Sequence, residues 1–347
     1  MEVNTKSLSR IFINTTTSYK FLFFNALTNS LLKENFKTNK FSLKDLVSKM
    51  IALAWFSQDF YKLKSAGQDQ LINIFRELNI RTNSIYIQEN LEKLISEQFE
   101  FNAEIQNLKK YVPFRLLTPF FERELRGIAD NQRNGMIEKL AAREFDSKKP
   151  LYRFSHGESI EVHTEWANFI KMNFDLIQAW SDYKYSEYLE KYNPDVPGII
   201  KKVRPPRNRN NNLSSERKIW QDYISIHGAN CIFTGKDISQ NFALDHFIPW
   251  SFVVHDEIRN LIPIDPNFNS SKSNYLPPRS SVNKFLDVQF TFYKFLHKHG
   301  EYSYINSYTT ILNTNELVPA NKFKNKMEAH LNLLTKTASA LGFLELN

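Results

Sequence analysis

The residues that could do chemistry crowd into positions 229–278. In order they are Cys231-Ile-Phe-Thr-Gly235, Leu244-Asp245-His246-Phe-Ile-Pro249, Arg259-Asn260-Leu-Ile-Pro263 and Asn267-Phe-Asn269-Ser-Ser-Lys272. Asp245 offers a carboxylate and Asn269 an amide oxygen. Hard oxygen ligands of this kind suit Mg²⁺, which keeps several waters of its own. His246 follows Asp245 directly, so on an extended strand it projects to the opposite side. An imidazole ordinarily titrates near neutral pH and can take a proton from an attacking water. Lys272 lies one helical turn beyond Asn269 and shares its face, where it could hold a phosphate. The set suits metal-assisted hydrolysis of a phosphodiester. Each residue also has a plainer reading. Asp245 and His246 could be a strand-end pair bonded locally, Asn269 a helix cap, and Lys272 a solvated surface lysine.

The flanking residues supply the elements that must position this set. Cys231–Phe233 reads as a short strand, Thr234-Gly235 as a turn, and Phe242–His246 as a second strand. Asn260–Ile264 is extended, and Pro266 opens a helix at its favoured first position. The order is strand, turn, strand ending in Asp-His, loop, extended Asn, then a helix bearing Asn and Lys.

This segment resembles the HNH nuclease family, whose fold is a ββα-metal finger. Three elements agree in order: Asp-His-x-x-Pro, Asn-Leu-x-Pro and Asn-x-x-Lys. Asn260 follows His246 by 14 residues, and Asn269 follows Asn260 by 9. The segment looks like the HNH domains of bacterial defence nucleases. The hallmarks of RNA-guided effectors, which also carry an HNH domain, are missing. The resemblance implies that His246 is the general base, that Asp245 and Asn269 bind the metal, and that Asn260 braces the loop after the Asp-His strand. Many HNH proteins also hold a structural zinc on two Cys-x-x-Cys pairs. Here Cys231 is the one cysteine, so no structural zinc is expected.

The remaining sequence frames that module. The first 146 residues predict mostly helix. Tyr19–Leu32 shows helical apolar spacing. Ser42 with Asp45 makes a variant capping box ahead of a buried helix. Arg115–Phe121, flanked by Pro113 and broken by Pro119, predicts irregular backbone. Residues 151–163 alternate as a small hairpin turning at His156-Gly157. Thr164 then caps one long helix to about Tyr192, its stripe including Trp166, Phe169, Phe174 and Trp180. Asn193-Pro-Asp-Val-Pro-Gly198 stops it. Further helices are expected at 214–226, 283–297, 302–312 and 321–341. The expected fold is therefore mainly α with a small α+β module. A helical recognition or regulatory domain spans 1–200, a basic linker 201–213, and the nuclease domain 214–347, with its ββα-metal core at 229–278 and a helical extension at 283–341.

The chain has 347 residues, 45 of them Lys or Arg and 37 Asp or Glu, for a net charge of +8. Residues 151–200 hold four basic and eight acidic groups, whereas 201–218 hold seven basic groups against Glu216. Such a basic block attracts phosphates by counterion release. Lys201, Lys202, Arg204, Arg207 and Arg209 are therefore expected to contact nucleic acid along with Lys272. The acidic stretch makes residues 1–200 look like a surface for a protein partner or for self-association. No apolar run reaches the roughly 18 residues of a membrane span, and the N-terminus lacks a signal-peptide pattern. A cytoplasmic setting is expected. The leading expectation is an endonuclease that cuts DNA with Mg²⁺, or with Mn²⁺ in its place, acting in bacterial restriction or phage defence. The alternatives are a catalytically inactive nucleic-acid-binding module, and an RNase or toxin using the same finger.

Overall fold

The structure is a computed structural model, and it describes residues 3–78, 88–155, 158–206 and 213–346. Its contacts divide the chain into two compact units, Met1–Pro194 with Ile199–Pro206, and Asp195–Gly198 with Arg207–Asn347. Among the described residues the fold is mostly helical with two small antiparallel sheets. Among the described residues no helix is long and apolar enough to cross a membrane.

The first unit runs α1 (Thr5–Ser9), α2 (Tyr19–Lys33), β1 (Lys40–Ser42), α3 (Leu43–Trp55), α4 (Leu71–Glu77), α5 (Gln88–Gln98), α6 (Ala103–Leu116), α7 (Asp130–Arg143), β2 (Tyr152–Ser155), β3 (Ser159–Val162), α8 (Thr164–Met172), α9 (Phe174–Glu190) and α10 (Ile199–Lys202). Helix α2 is its centre. Phe21, Leu22, Phe23, Phe24 and Leu27 are all buried, so nearly the whole circumference is enclosed. A helix apolar all round must be covered all round, and α3, α6 and α9 pack on it. The Ser42 hydroxyl accepts from the Asp45 amide, which fixes where α3 starts. The hairpin β2–β3 gains β1 as a third strand, in the order β1-β3-β2. Its turn at His156-Gly157 lies outside the described residues.

Three sequence expectations change here. Helix α6 runs through Pro113 to Leu116. A proline inside a helix costs about 3 kcal/mol, but Val112, Pro113 and Leu116 are buried, and the buried Tyr152 hydroxyl donates to the Pro113 carbonyl. Packing outweighs local propensity. The long helix expected from Thr164 is two helices, α8 and α9, broken at Asn173. Asn173 leaves helical geometry at φ −120°, ψ 24°, and both its backbone N–H and its side-chain amide donate to the Phe169 carbonyl, capping α8. The helix opens with His163 in the capping position, its Nδ1 accepting from the Glu165 amide. Finally, the segment expected to start the linker is folded. Ile199, Lys202 and Val203 are buried, and α10 packs on α9.

The second unit contains α11 (Ser214–His227), β4 (Ala243–His246), α12 (Trp250–Val253), β5 (Leu261–Ile264), α13 (Pro266–Lys272), α14 (Val282–His299), α15 (Tyr302–Leu312) and α16 (Ala320–Ala340). Strands β4 and β5 pair antiparallel, with Asp245 opposite Ile262 and His246 opposite Leu261. Strand β5 is buried throughout, whereas β4 alternates, burying Leu244 and His246. Helix α14 supports the sheet and α11 through stacked rings. Phe247 and Phe285 lie 3.8 Å apart by centroid, and Trp220 and Phe292 lie 3.7 Å apart. The strand expected at Cys231–Phe233 is instead a tight turn. Cys231 N–H donates to Lys236 O and Gly235 N–H to Cys231 O, closed by one bridge between Asn230 and Asp237. Gly235 takes φ +73°, a left-handed conformation that ends any extended run.

Candidate active site

Asp245 and His246 occupy the last two positions of β4, and α13 packs against that strand. Asp265 caps α13 by accepting from the Asn267 amide at 3.1 Å, and Pro266 takes the first helical position. The Lys236 ammonium lies 2.8 Å from the Asp265 carboxylate and holds it below the usual carboxylate range. The start of the helix is therefore pinned to the turn that precedes β4.

The other end of α13 is pinned by Lys272, the one buried residue of the helix. Its ammonium donates to the His246 carbonyl at 2.7 Å and lies 2.8 Å from Asp245 Oδ2. The ammonium's directed hydrogen bond goes to the carbonyl. At Oδ2, which makes no aligned hydrogen bond, the pairing is coulombic. The expectation that Lys272 holds a phosphate is therefore corrected. The amine is 1% exposed and is committed to the Asp-His strand rather than to a ligand.

Asn260 closes the loop from β4 to β5. Its Oδ1 accepts from Ile248 N–H and its Nδ2 donates to Ile248 O, both at 2.9 Å. Its own carbonyl accepts from Phe247 N–H at 2.7 Å. One buried side chain thus replaces a missing stretch of ladder at the point where the chain leaves the sheet.

Asn269 lies at mid-helix on α13, half-buried, and among the described residues its amide side chain has no hydrogen-bond partner. A helix turn on, Lys272 reaches the Asp-His strand, so Asn269 shares the face that α13 turns toward β4. No group of three or more His, Cys, Asp or Glu suited to a metal occurs among the described residues. A site built for Mg²⁺ does not need one. One carboxylate, one amide oxygen and retained waters are sufficient, and the unpartnered Asn269 amide is consistent with that donor set.

Two features were not legible in sequence. Asp256 approaches the imidazole, its Oδ1 lying 2.8 Å from His246 Nε2. Arg259 donates to Glu257 Oε2 and to the Ser307 carbonyl of α15, which ties the end of the loop to the helical extension. Neither Asp256 nor Glu257 falls in a periodic pattern, so spacing gives no signal for these contacts.

Within the described part of the basic segment, Lys202 and Arg204 are drawn onto the first unit. Lys202 is buried, and burial lowers its amine to about 7. Arg204 is engaged by Asp182 and by Gln178 Oε1 of α9. Lys202 departs from the expected nucleic-acid contacts, because the apolar Ile199 and Val203 carry it into the core of the first unit. Lys201 is exposed. Arg207 and Arg209 lie outside the described residues.

Residues 231–278 match the family model of HNH endonucleases. This segment is therefore an HNH endonuclease module, a class that acts on nucleic acid and in general depends on a metal. No curated protein and no solved structure matches the chain.

Proposed function

We propose that the protein is a metal-dependent HNH endonuclease that hydrolyses phosphodiester bonds in DNA. The carrying observation is the junction of β4 and α13 within the matched segment. There Asp245 and His246 are fixed by Lys272 on the same helix that presents the Asn269 amide, which has no hydrogen-bond partner among the described residues. Asp245 and Asn269 would hold the cation, with Mg²⁺ as the expected ion and Mn²⁺ able to replace it. When bound, the ion neutralises charge developing on the phosphate and the leaving oxygen. His246 takes a proton from water. The water oxygen attacks phosphorus as the bond to the leaving oxygen breaks. Asn260 holds the loop, and Lys272 holds Asp245.

A helical recognition or regulatory unit lies upstream of about residue 200, and the nuclease unit lies downstream of about 213. The acidic balance of 151–200 favours a protein partner or self-association for the first unit. The resemblance of the module to the HNH domains of bacterial defence nucleases supports a role in restriction or phage defence.

The test is cleavage of supercoiled plasmid by the full chain in Mg²⁺, Mn²⁺ or EDTA, beside His246→Ala and Asn269→Ala. Metal-dependent nicking that His246→Ala loses, and that Asn269→Ala shows only at raised Mg²⁺, is the expected result. Retained DNA binding with no cleavage in any metal would instead mark an inactive binding module. Cleavage of RNA but not of DNA would move the substrate class.

A further inference from the structure

Asp256 carries the strongest signal that the proposed mechanism does not use. It lies on the loop between β4 and β5, ten residues after His246. Its Oδ1 is 2.8 Å from His246 Nε2. A carboxylate at this distance offers only acceptor lone pairs. The contact is a hydrogen bond only if the imidazole proton is on Nε2. The other ring nitrogen, Nδ1, has no hydrogen-bond partner among the described residues, although the side chain is 7% exposed. A nearly buried ring is thus capped on one nitrogen and open on the other.

The support behind Asp256 is built rather than loose. Asn260 fixes the loop where it leaves β4. Arg259, 15% exposed, fixes the far end by donating to Glu257 and to Ser307 of α15. Asp256 lies between these anchors, on the wall of a groove of about 680 Å³ that Glu257, Arg259, Tyr304 and Ser307 also line.

We infer that Asp256 is a positioning residue that holds His246 as the Nε2–H tautomer, so that Nδ1 is the nitrogen that takes the proton from water. This rests on the nuclease reading above. The step balances. The water O–H bond breaks, its proton goes to Nδ1, and its oxygen forms the new bond to phosphorus. The old P–O bond breaks with its electron pair on the leaving oxygen, which gains a proton from solvent. Asp256 keeps its charge, stays bonded to Nε2–H and stabilises the imidazolium formed. Partners that orient a metal-bound imidazole are commonly worth about 10–100-fold in affinity or activity, and an effect of that order is expected for Asp256.

Two measurements test this. The first is the nitrogen NMR signature of His246 in the full chain labelled with ¹⁵N-histidine, assigned by comparison with His246→Gln. A protonated Nε2 and a bare Nδ1 in the neutral ring are expected, with the preference lost in Asp256→Ala. A bare Nε2 in the wild type, or an unchanged tautomer in Asp256→Ala, overturns the inference. This readout needs no cleavage, so it stands whether or not the nuclease reading does. The second is plasmid cleavage. Asp256→Ala and Asp256→Asn should lower kcat about 10–100-fold with KM for DNA unchanged, because an amide can donate to Nε2 and hold the wrong tautomer. Asp256→Glu should recover part of the loss. Faster cleavage by Asp256→Ala would show that Asp256 masks the base, and would overturn the assignment.

Discussion

The Lys272 ammonium stands 2.8 Å from Asp245 Oδ2 while donating to the carbonyl of His246 at 2.7 Å. Helix α13 has no other buried residue, so a charged side chain does the anchoring that a leucine would do in most helices. The arrangement places a fixed cation beside a carboxylate proposed to bind metal, and leaves Asp245 Oδ1 as the oxygen not committed to the amine. Removing one partner of a buried pair leaves the other charge uncompensated, which commonly costs about 3 kcal/mol or more. Lys272→Met should lower stability by about that amount and should reduce cleavage. In an Asp245→Asn background the same change should cost much less. Urea unfolding of the single and double variants measures the coupling. Equal losses in both backgrounds would show that the pair does not stabilise the finger.

Asn260 satisfies both polar groups of the Ile248 backbone through one side chain. Asn260→Ala leaves a buried N–H and a buried C=O unpaired, each worth about 1–3 kcal/mol. Asn260→Asp is the sharper variant. Its carboxylate can still accept from Ile248 N–H, but its second oxygen then faces the Ile248 carbonyl. It should destabilise at least as much as alanine does. Hydrogen exchange reads this directly: the Ile248 amide should exchange faster in both variants, while amides of α16 stay protected. An Ile248 amide as protected in Asn260→Ala as in wild type would refute the brace.

These two residues also show how much the sequence displayed. Asp245, His246, Asn260, Asn269 and Lys272 stand out by type and spacing, and the helix-strand-helix frame of the second unit follows from local patterns. What Lys272 does with its charge was not legible, because a helix-face rule places a side chain without saying whether water or a carboxylate meets it. Asp256 carried no local signal, since a loop acid gains meaning only when the fold brings an imidazole to it. The sequence expectations at Asn173 and at Pro113 fail for opposite reasons. At Asn173 the backbone leaves helical geometry despite an apolar stripe, and at Pro113 burial defeats a strong helix breaker. Lys202 and Arg204 read as a solvated basic block, because charge counting cannot see Ile199 and Val203 drawing the segment inward.

Gly198 adopts φ +64°, and a Cβ there would lie 2.5 Å from Val254 Cγ2. Val254 is itself left-handed at φ +50°, a conformation that a β-branched residue resists. Two positive-φ residues therefore interlock at the end of α12. Gly198→Ala should destabilise the second unit, with about 1–2 kcal/mol from the backbone alone and more from the clash. Val254→Gly should recover part of that loss by clearing the space and relieving its own strain. Thermal unfolding of the two single variants and the double variant checks the compensation. A double variant as unstable as the sum of the singles would show that the two sites do not touch energetically.

Lys202 gives the first unit a distinct pH response. Burial lowers its amine from an ordinary 10.5 to about 7. Between those two values the unfolded chain binds a proton there that the folded chain does not, so stability rises as pH rises through that window. Below about pH 7 the amine is charged in the interior and the penalty is fully present. The slope from one such group reaches about 1.4 kcal/mol per pH unit. Lys202→Met keeps the length of the side chain and removes the charge. It should stabilise the protein most near pH 7 and progressively less toward pH 9, both approximate bounds set by the same linkage. The difference between wild-type and variant unfolding free energies, measured in urea across that range, isolates this group from every other titration. A difference that stays constant with pH would mean that the Lys202 ammonium is as well solvated when folded as when unfolded.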